Sequence, residues 1–259
     1  MRSIWTGSIG FGLVNIPIKL YSATQESALD LDMLDKKDHA NIKFKRVNEK
    51  TGKEVAWDNI VKGYNLDGRY VVLSDEDFAK ASPEKTKIIE IQEFIDEKEV
   101  DGMYYETFYY LEPEKSGAKA YVLLRDALHK SNKAGFGSFV LRNKENLCLI
   151  KAVDDVLVLY KVRWQQEIRS TEDLNIPKGT SKPAEIKMAL QLINQLSGPF
   201  DISKYKDTYS GELMKLIKAK AKGRKPAQPV MRVVHSKNKD LLSQLKASLN
   251  GNGHKRKAS

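Results

Sequence analysis

The stretch Val14-Asn15-Ile16-Pro17-Ile18-Lys19-Leu20 decides how the rest of the chain is read. Val14, Ile16, Ile18 and Leu20 recur at every second position, with polar residues or proline between them. A period of two is the signature of a strand that turns one face to a core. The apolar run from Met1 to Tyr21 is also interrupted by Gly7, Gly10, Gly12, Asn15 and Pro17, which argues against a secretion signal and for a cytoplasmic protein. Working outward, residues 3–9 and 13–21 are predicted strands. Gly7-Ser8-Ile9-Gly10-Phe11-Gly12 between them is read as a tight turn. Its order is G-x-x-G-x-G with no helix following, which does not match a dinucleotide loop.

The same reading continues downstream. Residues 42–47 and 54–57 are predicted strands around the turn Asn48-Glu49-Lys50-Thr51-Gly52. Residues 69–73, 88–95, 104–111 and 156–164 are predicted strands, and residues 136–142 and 147–153 a hairpin around residues 143–146. Ser74 is expected to cap a short helix opened by Asp75, Glu76 and Asp77, with Phe78 facing inward. Residues 118–133 form the main predicted helix. Tyr121, Leu124 and Leu128 lie on its buried face, and Gly135 is its stop. Seven or so short strands with few helices point to a mainly β barrel or sandwich, and β-α-β alternation is absent.

Beyond about residue 170 the pattern becomes helical. One helix is expected from Ser181 and Pro183 to Gly198, with Ile186, Ala189, Leu190, Ile193 and Leu196 as its apolar stripe. A second is expected over residues 210–222, with Leu213, Leu216, Ile217 and Ala221 on one face. Residues 223–229 read as a basic linker and 239–249 as a short amphipathic helix. The Gly- and Lys-rich end, 251–259, is expected to be disordered. The domain expectation is therefore a core over 1–178, a helical region over 179–225 and a basic tail over 226–259.

Charge follows the same division. The chain carries 44 Lys/Arg and 34 Asp/Glu, a net charge of +10. Residues 181–259 account for 17 cations against 5 anions, which leaves residues 1–180 slightly acidic. A basic tail on a near-neutral body reads as an arm for a polyanion or as a solubilising tail. The lone Cys148, between Leu147 and Leu149, excludes a disulfide framework and reads as a buried thiol. No stretch is long and apolar enough to span a bilayer.

The parts of an enzyme are not found. The histidines at 39, 129, 235 and 254 are scattered, without metal-ligand spacing. A phosphate-binding loop is absent, since Glu54 follows Gly52-Lys53, and so is a nucleophile elbow. Asp75-Glu76-Asp77 and Asp154-Asp155 read as a helix start and a turn. No catalysis, cofactor or metal is expected.

Two basic clusters remain. In the first, Lys43, Lys45 and Arg46 are expected on a strand, with Lys50 and Lys53 near its turn. A period of two would put Lys43 and Lys45 on the wet face and Phe44 in the core. Such a row suits a phosphate backbone or is an ordinary solvated face. The second cluster is Lys215, Lys218, Lys220, Lys222, Arg224 and Lys225, more cations than a helix C-terminus needs. Neither cluster is interleaved with aromatic rings, which favours backbone contact with a duplex over single-strand recognition. Arg125, Lys130, Lys133, Arg142 and Lys144, flanking the main helix and the next hairpin, are further candidates.

The opening, from Met1-Arg2-Ser3-Ile4-Trp5-Thr6-Gly7 through Pro17-Ile18-Lys19-Leu20-Tyr21, closely resembles bacterial Ku. The resemblance continues in register at Phe44-Lys45-Arg46-Val47, Lys62-Gly63-Tyr64, Tyr70–Phe78, Lys119–Leu128, Leu196-Ser197-Gly198-Pro199-Phe200-Asp201 and Lys218–Gly223, covering residues 1 to about 225. It implies a Ku-type β-barrel core (SPOC-like) with a bridge-and-pillar extension. It further implies a homodimeric ring around double-stranded DNA ends in non-homologous end joining, and recruitment of DNA ligase D. Residues 179–225 would then be the ligase-docking part, with Ile193, Leu196, Leu213 and Ile217 as contacts. The rival expectations are a duplex binder indifferent to ends, an RNA-associated basic protein and a ligase scaffold.

Overall fold

The computed structural model describes residues 1–81 and 86–224. The chain divides into two compact units, one of residues 1–26 and 31–172, the other of residues 27–30 with the chain from 173 onward.

The first unit is built on a closed barrel. Strand β1 (Trp5–Phe11) turns back into β2 (Val14–Ser22) through Gly12 and Leu13, with Gly12 at φ +57°. An excursion then carries β3 (Lys62–Leu66), β4 (Arg69–Leu73) and α1 (Asp75–Ala81). The chain returns as β5 (Ile88–Asp96), followed by β6 (Tyr105–Pro113), α2 (Ala118–Ser131), β7 (Lys133–Leu141), β8 (Lys144–Val153) and β9 (Val156–Val162). Around the barrel the order is β1-β2-β6-β9-β8-β7-β5, and β5 closes on β1. That closing pair is parallel, and the other pairs are antiparallel.

Alternation fills the interior. Ile16, Ile18 and Leu20 of β2 are fully buried, as are Ile9, Ile89, Ile150, Leu157 and Leu159, and Cys148 is nearly so. Burial pushes the Cys148 thiol well above its ordinary range. Helix α2 joins this core through Tyr121, Leu124 and Leu128. The Tyr121 hydroxyl donates to the Leu111 carbonyl at 2.7 Å and accepts the Leu157 N–H at 2.7 Å. One phenol thus pins the helix to both β6 and β9. Gly7 and Gly137 let neighbouring strands approach, since a Cβ on either would fall 2.2 Å or less from the Lys87 or Glu90 carbonyl oxygen.

Several sequence expectations are corrected. Gly7 and Gly10 lie within β1, and only Gly12 of that run makes the turn. Asn132 in the left-handed region ends α2, while Gly135 lies in β7. The β7–β8 turn is Arg142-Asn143, both at positive φ, two residues rather than four. Ser74 does cap α1, accepting the Asp77 N–H at 3.2 Å while its own N–H and hydroxyl reach the Asp77 carboxylate. Phe78, however, is not buried: the Lys62 ammonium lies 4.8 Å over its ring, and the side chain stays 38% exposed.

The excursion is the unusual part. It leaves the barrel after Ser22 and re-enters at Ile88. Leu20 pairs with Trp5 and Ile88 with Ser8, so exit and entry flank the same end of β1. Stepping across one strand and about five residues along it needs only roughly 20 Å, yet residues 23–87 are spent on it. In the described part of residues 31–81 every side chain is exposed except Val55 and Leu73, which are half-buried. Residues 42–47 and 54–57 do not form strands; a single bridge, Val47 to Glu54, joins them. The Asp67-Gly68 turn of the β3–β4 hairpin, both residues at positive φ, is the pairing that a two-residue hairpin turn favours.

The second unit contains α3 (Pro183–Leu196) and α4 (Thr208–Ala221). Pro183 opens α3, and Asp207 caps α4 by accepting the Ser210 N–H at 3.1 Å. Residues 82–85 and 225–259, including the predicted helix over 239–249 and the disordered end, lie outside the described residues. No described helix is long and apolar enough to cross a membrane.

Replacing Tyr121 by Phe strands the Leu111 carbonyl and the Leu157 N–H inside the barrel. The expected loss is about 1–3 kcal/mol, read as a lower urea midpoint with an unchanged slope. Cys148 should resist alkylation in the native state and react once denaturant opens the barrel. Rapid labelling of the folded protein would contradict the burial.

Candidate nucleic-acid interface

The first basic cluster folds by local hydrogen bonding rather than by strand alternation. Asn48 Oδ1 accepts the N–H groups of Lys50 and Thr51, Gly52 N–H reaches the Asn48 carbonyl, and Asn48 N–H reaches that of Lys53. Gly52 sits at φ +66°, a conformation that favours glycine. This closed turn leaves Lys43, Lys45, Arg46, Lys50 and Lys53 exposed, with Glu49 the only acid between residues 43 and 53. Phe44 is 80% exposed, so the expected division into lysine face and core face does not hold. Alternation sorts side chains only where a sheet has a core to face, and here it has none.

The cations of the cluster differ in freedom. Lys45 pairs with Glu54 at 2.7 Å, both well exposed, a contact of about 0–1 kcal/mol that a phosphate can displace. The Arg46 guanidinium lies 4.8 Å over the Trp57 ring, which holds it in place while leaving its charge available. Lys43, Lys50 and Lys53 enter no ion pair among the described residues. On the barrel wall the contrast is clear. Lys151 pairs with Glu97, and Glu106 holds both Lys161 and Arg163.

The remaining barrel candidates do not form one patch. Arg125 is half-buried, held by Asp126 at 2.9 Å and by the Asp155 carbonyl at 3.2 Å, which makes it a structural tie. Lys130 and Lys133 are exposed at the C-terminal end of α2, and Lys133 shares a polar cleft with Asp96, Glu97 and Lys98. Arg142 and Lys144 are exposed at the far end of β7, roughly 30 Å away at strand rise.

In the second unit Lys218, Lys220, Lys222 and Arg224 are exposed along and just beyond the end of α4. Lys225 lies outside the described residues. On α3, Ile186, Leu190, Ile193 and Leu196 are exposed rather than packed, whereas Ala189 is half-buried. On α4, Leu213 is half-buried and Ile217 is 37% exposed.

Reading by residue type missed the uncovered apolar surface of the excursion. Trp57, Val61, Tyr64, Leu66, Tyr70 and Val72 are each more than half exposed. The signal was present in the Asp67-Gly68 turn between two β-forming runs, which announces a hairpin but not what covers it. Among the described residues no group of His, Cys, Asp and Glu could hold a metal ion.

The geometry is one of exposed cations on a locally closed turn, beside apolar surface without cover. A family model described as the Ku70/Ku80 beta-barrel domain matches residues 10–188. Curated relatives bear the name non-homologous end joining protein Ku. That of Archaeoglobus fulgidus is 41% identical, covering 96% of this chain and 98% of its own. That of Pseudomonas aeruginosa is 38% identical, over 93% of this chain and 84% of its own. That of Bacillus subtilis is 36% identical, over 96% and 82%.

Proposed function

The chain belongs to the Ku family, and on that premise we propose that it binds the ends of double-stranded DNA, without reading sequence, in non-homologous end joining. Two copies form a ring that a duplex enters only at a free terminus, so topology rather than base contact supplies the preference for ends. The chain acts as a binding protein and not as an enzyme.

The observation that carries the homodimer is the uncovered excursion. A two-stranded hairpin is marginal in water by itself. This one has Tyr64, Leu66, Tyr70 and Val72 largely in solvent. Apolar surface on that scale marks an interface. A second copy supplies the same hairpin and can cover it through a two-fold contact.

Lys43, Lys45, Arg46, Lys50 and Lys53 then contact phosphates, since they are exposed and poorly supplied with acids. Lys130, Lys133, Arg142 and Lys144 are secondary contacts, and Arg125 acts chiefly in the fold. Lys218, Lys220, Lys222, Arg224 and Lys225 add contacts from the region 179–225. The apolar stripe of Ile193 and Leu196, with Leu213 and Ile217, docks a partner helix or groove. In this reading the partner is ligase D, and the basic residues 226–259 form an auxiliary arm.

Linear duplex should be retained in a gel shift and a covalently closed circle of equal sequence should not. Equal retention would favour a duplex binder indifferent to ends. Light scattering should give twice the chain mass. Val71→Asp with Val72→Asp should halve it and abolish end binding, while the barrel's circular dichroism is unchanged; a fully dimeric variant would displace the hairpin from the interface. Charge reversal of Lys43, Lys45 and Lys53 should weaken binding roughly tenfold or more and flatten the salt dependence by about one unit per lost phosphate contact.

A further inference from the structure

We propose that the connection between α3 and α4 is a stacking platform for unpaired nucleotides at the end of a duplex. The inference rests on the DNA-end reading above and names the part of the substrate that the reading leaves out. The second basic cluster itself lacks aromatic rings, but the connection that precedes its helix does not. Phe200 is 80% exposed, Tyr205 64% and Tyr209 74%. The Phe200 and Tyr205 rings lie 6.4 Å apart and within 28° of parallel, which leaves each an outer face in solvent.

The surrounding charge suits a nucleotide strand. Lys204 and Lys206 bracket Tyr205, so cations alternate with the ring as a stacked base and its phosphate require. The two acids of the loop are engaged by the backbone. The Asp201 carboxylate accepts from the Ser203 N–H at 3.0 Å and the Ser203 hydroxyl at 2.7 Å. The Asp207 carboxylate caps α4, and hydrogen bonding to Ser210 holds it below the ordinary carboxylate range. Lys204 lies 3.8 Å from Asp201, a loose pair, and Lys206 enters no ion pair among the described residues. The formal charges of the loop therefore balance, with Lys206 the cation that no ion pair answers among the described residues, and the excess of positive charge comes from α4.

Helix α4 extends the track. At 1.5 Å per residue, Lys218 and Lys222 lie roughly 14–20 Å along the axis from Tyr209. Along a duplex axis the phosphates of one strand advance about 3.4 Å per nucleotide, so this length corresponds to roughly four to six base pairs next to the terminus. Phosphates held at the cationic end would bring the terminal bases to the rings. A protein partner is the alternative occupant of exposed aromatic residues. The aliphatic stripe of Ile186, Leu190 and Ile193 on α3 is the surface that suits one, and it carries no interleaved aromatic rings.

The test compares a short blunt duplex with the same duplex carrying an oligothymidylate 3′ extension, by fluorescence anisotropy on the full chain. The extended duplex should bind roughly tenfold tighter, the gain from stacking about one base. Phe200→Leu, Tyr205→Leu and Tyr209→Leu together keep apolar bulk but remove the π faces. They should abolish that gain and leave blunt-end affinity unchanged. Equal affinities in the wild-type protein, or a gain that survives the leucine substitutions, overturn the proposal. So does a variant that keeps the gain but loses only ligase-stimulated joining, which would make the loop a protein-docking surface. Failure of the end-binding reading would show separately, as no retention of the blunt duplex. Binding of free oligothymidylate, lost in the leucine variant, then still decides the platform.

Discussion

Closure of the barrel by the parallel pairing of β1 with β5 is the constraint on which the rest of the molecule depends. It removes the open edges that a seven-stranded sheet would otherwise present. It also forces the chain to step over β1 between β2 and β5, and that step is where the excursion is inserted. Because exit and re-entry lie at one end of β1, residues 23–87 can change without disturbing barrel register. The barrel is thus a mount, and the excursion is what it carries.

The two parts obey different physics. Inside the barrel, fully buried Ile, Leu and Phe side chains with the Tyr121 hydroxyl make a self-sufficient core. In the excursion, hydrogen bonding is local and satisfied, but burial is almost nil. Local bonds fix the shape of a turn such as residues 48–53 without providing the apolar burial that dominates stability. The exposed hairpin rich in Tyr and Val is therefore apolar surface that the described residues leave uncovered. Its cations, unlike Lys151, Lys161 and Arg163 on the barrel wall, are mostly not paired with acids among the described residues. Both kinds of incompleteness, apolar and ionic, fall on the same segment.

The helical unit repeats the theme at smaller scale. Pro183 and Asp207 start their helices as such residues should, yet many side chains along α3 and in the α3–α4 connection remain exposed. Helices of this length gain most of their stability from packing. Ile186, Leu190 and Ile193 are large apolar side chains left without that packing among the described residues.

Periodicity in the amino-acid order determined the barrel strands, the buried face of α2, the thiol in β8 and the start of α3. In each case but the last, one apolar face must meet one core, so spacing alone sorts inside from outside; for α3 the proline itself sets the first turn. The order of residues also carried the family resemblance, through runs such as the opening 21 residues. Only the tertiary structure decided that Phe44 and Phe78 are exposed, that Asn132 rather than Gly135 ends α2, and that Arg125 is tied to Asp126 and Asp155. It likewise separated Lys133 from Arg142 by the length of β7. These depend on whether a second layer lies over a given face and on which acceptor stands beside a given cation. Neither is encoded in local spacing, because partners in space such as Arg125 and Asp155 are brought together by the closure of the barrel and not by their neighbours in the chain.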